Sequence, residues 1–276
     1  MRHRLPRIPR AAQSLVMLSL FSVVAVAVSG CGALNAIGGS NTNFFPPNLA
    51  RSTPTVTTFH ACPPQGKGGD PALNTLVNRQ DDSPPNGYRV TDLTQVATVP
   101  STPQVEGKDR SAWSATDAKR VATYEGSPVR TTGWVVAVRN GGPTPANCDS
   151  TTDRDWYLWI STGAGDVPQT AMVVVVTPRV RAERPGWTDF TLRRLVGQVV
   201  RVSGWMVYDQ EPPSFLVNDR ATPWELQPVT HLETLYLNQW INLDLVPFGS
   251  RVTGTPVVTP PGTVTPISPL TPTPGA

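Results

Sequence analysis

The chain has 276 residues, with 39% hydrophobic, 16% charged, and 30 prolines and 22 glycines that together make up about a fifth of it. Such a composition excludes a helical bundle or coiled coil, which need Ala, Leu, Glu and Lys in quantity, and eight tryptophans exclude a wholly disordered chain. The formal charge of +3 includes Arg2, Arg4, Arg7 and Arg10; without them 19 basic residues face 20 acidic ones, a net of −1 that offers a polyanion no electrostatic footprint.

Residues 1–10 carry those four arginines and no acid, and 15–28 (LVMLSLFSVVAVAV) form an apolar run. A basic start, a short apolar core and small residues after it describe a secretory signal over 1–30, too short to span a bilayer comfortably. Val28-Ser29-Gly30-Cys31 resembles the bacterial lipobox. The resemblance implies cleavage before Cys31 and acylation of its thiol, with two or more chains, palmitate among them, giving a stable membrane anchor. The protein is then expected at the cell membrane or outer membrane, facing away from the cytoplasm. Residues 31–58 read as a lipidated N-terminus and flexible tether, small and polar in composition. In an oxidising compartment the remaining cysteines, Cys62 and Cys148, allow one intramolecular pairing across 86 residues, worth about 3–4 kcal/mol in the loop-entropy model. The rival, a metal site, lacks close Cys/His spacing: His60 near Cys62 is not a zinc ligand set.

Roughly 190 to 220 residues remain to fold, which suits one domain. Residues 59–120 read as an irregular extension packed on a domain at 121–236. Strand signals within that domain fall at 128–139, 155–161 and 171–177, the last stopped by Pro178. Residues 187–196 change period, with Trp187, Phe190, Leu192 and Leu195 suiting a short helix ended by Gly197. Strands resume at 198–208 and 222–235, the latter broken near Pro228. Residues 237–250 form a C-terminal extension, and 251–276, with seven Pro and seven Thr, read as a disordered tail that is free or O-glycosylated.

Val129-Arg130-Thr131-Thr132-Gly133-Trp134 returns as Val200-Arg201-Val202-Ser203-Gly204-Trp205, 71 residues later. Both read as strands bent at a central glycine. Three strands, a helix and two strands, with bends in the first and fourth, is the order of a mainly β, five-stranded OB-like barrel with its helix between strands 3 and 4; a β-sandwich is the runner-up and has no use for the helix. By alternation Arg130 and Trp134 share one strand face, and Arg201 and Trp205 another. These four form the expected binding surface, against the alternative that the tryptophans seal the barrel ends under their arginine stems. Tyr157 and Trp159 share one face of the second strand, Trp156 and Leu158 the other, so that strand is buried on both sides.

Cys62-Pro63, Gly66, Gly68-Gly69-Asp70-Pro71, Leu73-Asn74 and Asn78-Arg79 resemble the opening of a family of uncharacterised bacterial exported proteins. The resemblance continues in order through Asn147-Cys148, Asp153-Arg154-Asp155, Thr177-Pro178-Arg179, Pro185-Gly186-Trp187-Thr188, Leu195-Val196-Gly197 and Trp224-Glu225-Leu226-Gln227-Pro228-Val229. It covers about 60–235 and implies an OB-like domain and an exported life, with no activity to transfer. The family pattern has His where this chain has Tyr157, Glu at Val174 or Val175, and His at Gln227. Any site built on those groups has lost its titratable members here, since a phenol cannot shuttle protons near neutrality as His does.

No catalytic set, metal set or cofactor motif emerges. His60 and His231 stand without a nucleophile elbow. A metal-dependent nuclease would draw on Asp153, Asp155, Arg179 and Glu211, with acids for the cation and arginine for phosphate; acids where a loop meets a strand more often cap turns. OB folds elsewhere bind oligonucleotides, a weak warrant beside a near-neutral charge. The expected function is therefore a non-catalytic binding or structural module, anchored by lipid at the cell envelope. Its ligand would be envelope glycan, a protein partner or a small molecule; the alternative is a subunit of an envelope assembly.

Overall fold

A long strand that must pair with different neighbours along its length has to bend, and β2 (Pro128–Asn140) does so. Its first half pairs antiparallel with β5 (Val199–Tyr208), from Pro128↔Trp205 to Trp134↔Val199, and its second half pairs with β3 (Trp156–Ser161), from Trp134↔Ser161 to Asn140↔Trp156. The handover falls at Gly133, where an added Cβ would stand 2.6 Å from Leu93 Cδ1 and 2.9 Å from the Ser161 carbonyl oxygen. β3 continues antiparallel to β4 (Met172–Val176), which runs parallel to β6 (Trp224–Tyr236), and β6 is antiparallel to β5. The ring β2-β3-β4-β6-β5 closes on itself. This mainly β, closed five-stranded barrel is described in a computed structural model at residues 45–210 and 219–246. The signal segment, Cys31, Glu211 and the Thr/Pro tail lie outside the described residues.

β6 is one strand, not a broken one. The Gln227–Pro228 peptide is cis, and the β5–β6 register slips there: Gly204 faces Val229 while Met206 faces Leu226. Pro228 has no N–H to give a ladder, and the slip lets the ladder pass without one. Gly204 is required at this point because a Cβ would lie 2.6 Å from the Pro228 carbonyl oxygen.

Between β4 and β5 stand two short helices where the sequence predicts one. Pro178, read as a strand stop, is also the first residue of α4 (Pro178–Ala182). α5 (Asp189–Arg193) is capped by Thr188, whose hydroxyl accepts from Thr191 N–H. Trp187, Leu192 and Leu195 enter the core as expected, but Phe190 is 58% exposed beneath the Arg194 guanidinium. Inside the barrel, Val129, Leu158, Ile160, Val174, Val202 and Leu232 pack together. Trp159, Val173 and Val175 form a second cluster on the opposite face of β3 and β4, so this pair of strands is buried on both sides.

The stretch before the barrel is better ordered than its composition predicts. It holds α1 (Pro71–Val77), β1 (Arg89–Val90), α2 (Leu93–Val96) and α3 (Ala115–Ala122), with β1 parallel to the start of β2. Part of the expected tether also belongs to the fold. Phe45 is 0% exposed in the main core, Asn48 N–H donates to Thr123 O, and Thr57 O accepts from Arg179. After β6, Leu237 and Asn238, both at positive φ, turn the chain into β7 (Gln239–Asn242). Among the described residues no helix is long and apolar enough to cross a membrane.

Candidate functional site

The Gly-rich segment after Cys62 builds one wall of a cleft. Asp70 caps α1, its Oδ1 accepting from Ala72 and Leu73 N–H at 2.8 and 3.1 Å. Asn74 Nδ2 donates to Gln65 O and Gly68 O, holding the loop onto the helix. The loop lies flat on the 144–148 turn: Lys67 N–H donates to Pro145 O at 2.8 Å, and Gly66 sits at φ +65° with no room for a Cβ against that same carbonyl. Asn78 Nδ2 donates to Ala146 O at 2.7 Å, and the Cys62–Cys148 disulfide, with Cα atoms 5.8 Å apart, fixes the two segments together. The expected pairing is thus present, and it serves the cleft wall.

Facing this wall are the start of β3 (Asp155, Tyr157), the end of β5 (Val207, Tyr208) with Asp209 after it, and the start of β6 (Glu225, Gln227). The enclosed volume is about 860 Å³, the size range of small-molecule sites. Leu73, Val77 and Val207 give it an apolar side.

Its floor is polar. Asp155 is 1% exposed, and among the described residues the only side-chain donor to its carboxyl is Asn147 Nδ2, at 3.1 Å from Oδ1. Burial pushes the Asp155 pKa up to about 6, against the Asn147 hydrogen bond and the positive charge of Arg181. Burial also pushes the Tyr157 hydroxyl up, reinforced by the charges of Asp155, Glu225 and Asp209, so it stays neutral. Neither the Tyr157 hydroxyl nor the Gln227 amide, 8% exposed, meets a hydrogen-bond partner among the described residues. These three side chains turn polar atoms without a protein partner toward the cleft, and they mark where a ligand's polar atoms fit. Two of the lining acids are paired: Arg220 Nη1 lies 2.5 Å from Asp209 Oδ2 and 3.6 Å from Glu225 Oε2. Arg110 is held by Glu125 through two 2.7 Å hydrogen bonds.

The expected Arg–Trp surface does not form. Trp205 is 0% exposed: the Arg79 guanidinium lies 3.2 Å above its ring, and Tyr88 meets its edge. The N-terminal stretch, which the strand pattern does not anticipate, covers it. Arg130 Nε donates to Ser203 Oγ, and Arg201 grips Glu233 through two 2.6 Å hydrogen bonds beneath Trp240. Trp134 is half-buried.

The acidic set does not converge either. Arg179 is fully buried and spends its guanidinium on the carbonyls of Thr57, Cys62 and Pro63. Asp153 accepts from Ser150 and meets His60 Nδ1 at 3.1 Å in a small recess of about 120 Å³ beside the disulfide. Asp155 alone of the three lines the large cleft. Among the described residues no group of three or more His, Cys, Asp or Glu is placed to hold a metal ion.

Sequence reasoning missed the cleft, yet its residues were already marked. Tyr157 and Gln227, two positions that the sequence comparison above singles out, both line it, whereas Val174 packs in the barrel core and Val175 packs with Trp159. The usable signal was the pairing of Cys62 with Cys148, which brings a glycine-rich loop against an Asn-Cys turn. The fold and the cleft define a small closed β-barrel of OB topology with a pocket between the barrel and its N-terminal stretch. Comparison of the chain with known protein families found no matching model, and comparison with curated proteins found no match.

Proposed function

We propose that this protein is a lipoprotein, acylated on Cys31, that holds a non-catalytic binding module on the outer side of a membrane and takes a small polar ligand in the cleft between α1 and the starts of β3 and β6. The observation that carries the reading is the cleft floor: Asp155 and Gln227 are buried, Tyr157 is half-buried, and among the described residues the Tyr157 hydroxyl, the Gln227 amide and one Asp155 oxygen face the cleft without a protein partner. A ligand's donors and acceptors can take the place of solvent at these groups. A nuclease is favoured less, because the Arg179 guanidinium is occupied by three carbonyls. Oligonucleotide binding is favoured less too, because acids dominate the cleft walls.

Two measurements test the reading. The intact mass of protein expressed with its signal should equal the chain from residue 31 plus diacylglycerol and acyl groups; an unmodified residue 31 in mid-chain refutes the anchor. Native mass spectrometry in mild detergent should show a small-molecule adduct that Leu73→Trp, which fills the cleft, removes. Equal adduct in both proteins, or none in either, refutes the cleft as the ligand site.

A further inference from the structure

Five carboxylates line the cleft, those of Asp70, Asp109, Asp155, Asp209 and Glu225, against the single guanidinium of Arg110. Most are spoken for within the fold. Asp70 caps α1, Asp209 and Glu225 stand by Arg220, and Arg110 is clamped by Glu125. Asp155 is different: one oxygen accepts from Asn147, and the other has no protein donor among the described residues. The same cleft is lined by the amide of Gln227 and the hydroxyl of Tyr157, which have no protein partner among the described residues and supply acceptor atoms of their own. Opposite runs the apolar side of Leu73, Val77 and Val207.

We infer that the ligand is a cationic amine, its ammonium group donating to Asp155, Gln227 and Tyr157 while its carbon chain lies along Leu73, Val77 and Val207. The inference rests on the cleft being the ligand site, as proposed above. An ammonium has three donors and no acceptor, which matches a carboxylate oxygen, an amide oxygen and a phenolic oxygen left without donors. A neutral polyol would fill the hydrogen bonds but leave the desolvated carboxylate without a countercharge. An anion meets five lining carboxylates against one lining guanidinium, which Glu125 already holds. A metal ion lacks its ligand set, since no three acids or histidines gather among the described residues. The charges that bear on the pair at the floor are Arg181 near Asp155, and Glu225, Asp209 and Arg220 near Tyr157.

The test is methyl NMR on the full-length protein in nonionic detergent, following Leu73, Val77 and Val207 at pH 7.5. The probes are 1,5-diaminopentane, 1,5-pentanediol and glutarate, equal in length and different in charge. The diamine is expected to shift all three methyls saturably, with the diol and the dianion at least tenfold weaker. Asp155→Asn should weaken the diamine at least tenfold, and Gln227→Glu, which adds a second carboxylate, should tighten it severalfold. Lowering the pH from 7.5 to 5 should weaken it about tenfold, because a carboxyl titrating at about 6 is then mostly protonated. If the diol or glutarate moves these methyls as readily as the diamine, or if Asp155→Asn leaves the diamine unaffected, the amine assignment is overturned while the cleft stands as a site. If no probe moves them, the amine assignment fails; if Leu73→Trp also leaves native adducts in place, the cleft reading fails with it.

Discussion

Replacing Asp155 by Asn should make the protein more stable at neutral pH, and the gain should vanish in acid. The carboxyl ordinarily titrates at 3.8 and burial raises it to about 6 in the fold. The folded state therefore holds a proton between those two values that the unfolded chain has released. Stability falls as pH rises through that window, because the folded state is the one binding more protons there. Above pH 6 the ionised group is buried with Asn147 as its only side-chain donor among the described residues and Arg181 as a more distant charge. A rise from 3.8 to about 6, at ~1.4 kcal/mol for each pH step, amounts to about 3 kcal/mol. Asn keeps the shape of the protonated acid, can still meet Asn147, and does not titrate. Urea unfolding of both proteins from pH 3.5 to 8 should show the variant about 3 kcal/mol more stable at pH 8 and equal to the parent near pH 3.5. Taking the difference at each pH cancels every other titrating group. Parallel stability curves, or a variant weaker than the parent at pH 8, refute the premise that Asp155 lies desolvated without a sufficient partner. The same substitution is expected to weaken amine binding at least tenfold, so stability and ligand affinity move in opposite directions at this position.

Three further outcomes follow from the packing. Trp205→Ala should cost about 3–5 kcal/mol in thermal or urea unfolding, because it removes a fully buried indole and the surface on which the Arg79 guanidinium lies; an unchanged melting temperature contradicts the burial. Gly204→Ala should cost about 1–3 kcal/mol, since its Cβ would stand 2.6 Å from the Pro228 carbonyl oxygen, and a neutral effect would mean β6 can shift away. Removing the Cys62–Cys148 bridge by a double Ala substitution should lower stability by about 3–4 kcal/mol and weaken ligand binding as the 62–70 loop loses its hold on the 144–148 turn; full binding at a temperature where both proteins are folded would separate bridge from cleft.

The barrel was legible because its strands carry local signals. The β-branched runs at 128–139, 171–177 and 198–208 fall on β2, β4 and β5, and the paired glycines at 133 and 204 lie where neighbouring backbones come too close for a side chain. What escaped was every feature made by contacts distant in the chain. Nothing near Trp205 announces that Arg79, 126 positions earlier, covers it. Alternation assigns a residue to a face but says nothing about whether a later or earlier segment lies on that face. The same holds for Arg179, whose three carbonyl acceptors sit more than a hundred residues away. The cleft was hidden for this reason: its floor comes from the strand pattern and its far wall from a loop that only the disulfide and asparagine contacts bring into place.

Phe45 at the centre of the core sets how far the domain can travel from its anchor. With Cys31 acylated as proposed, fourteen peptide steps separate the lipid from Phe45, the first buried side chain among the described residues. At ~3.5 Å per residue that leash reaches at most about 50 Å, half of what a free stretch to residue 58 would allow. The pocket would then sample a thin layer next to the bilayer, and its cargo would have to come from that layer, where anionic headgroups already concentrate positively charged solutes.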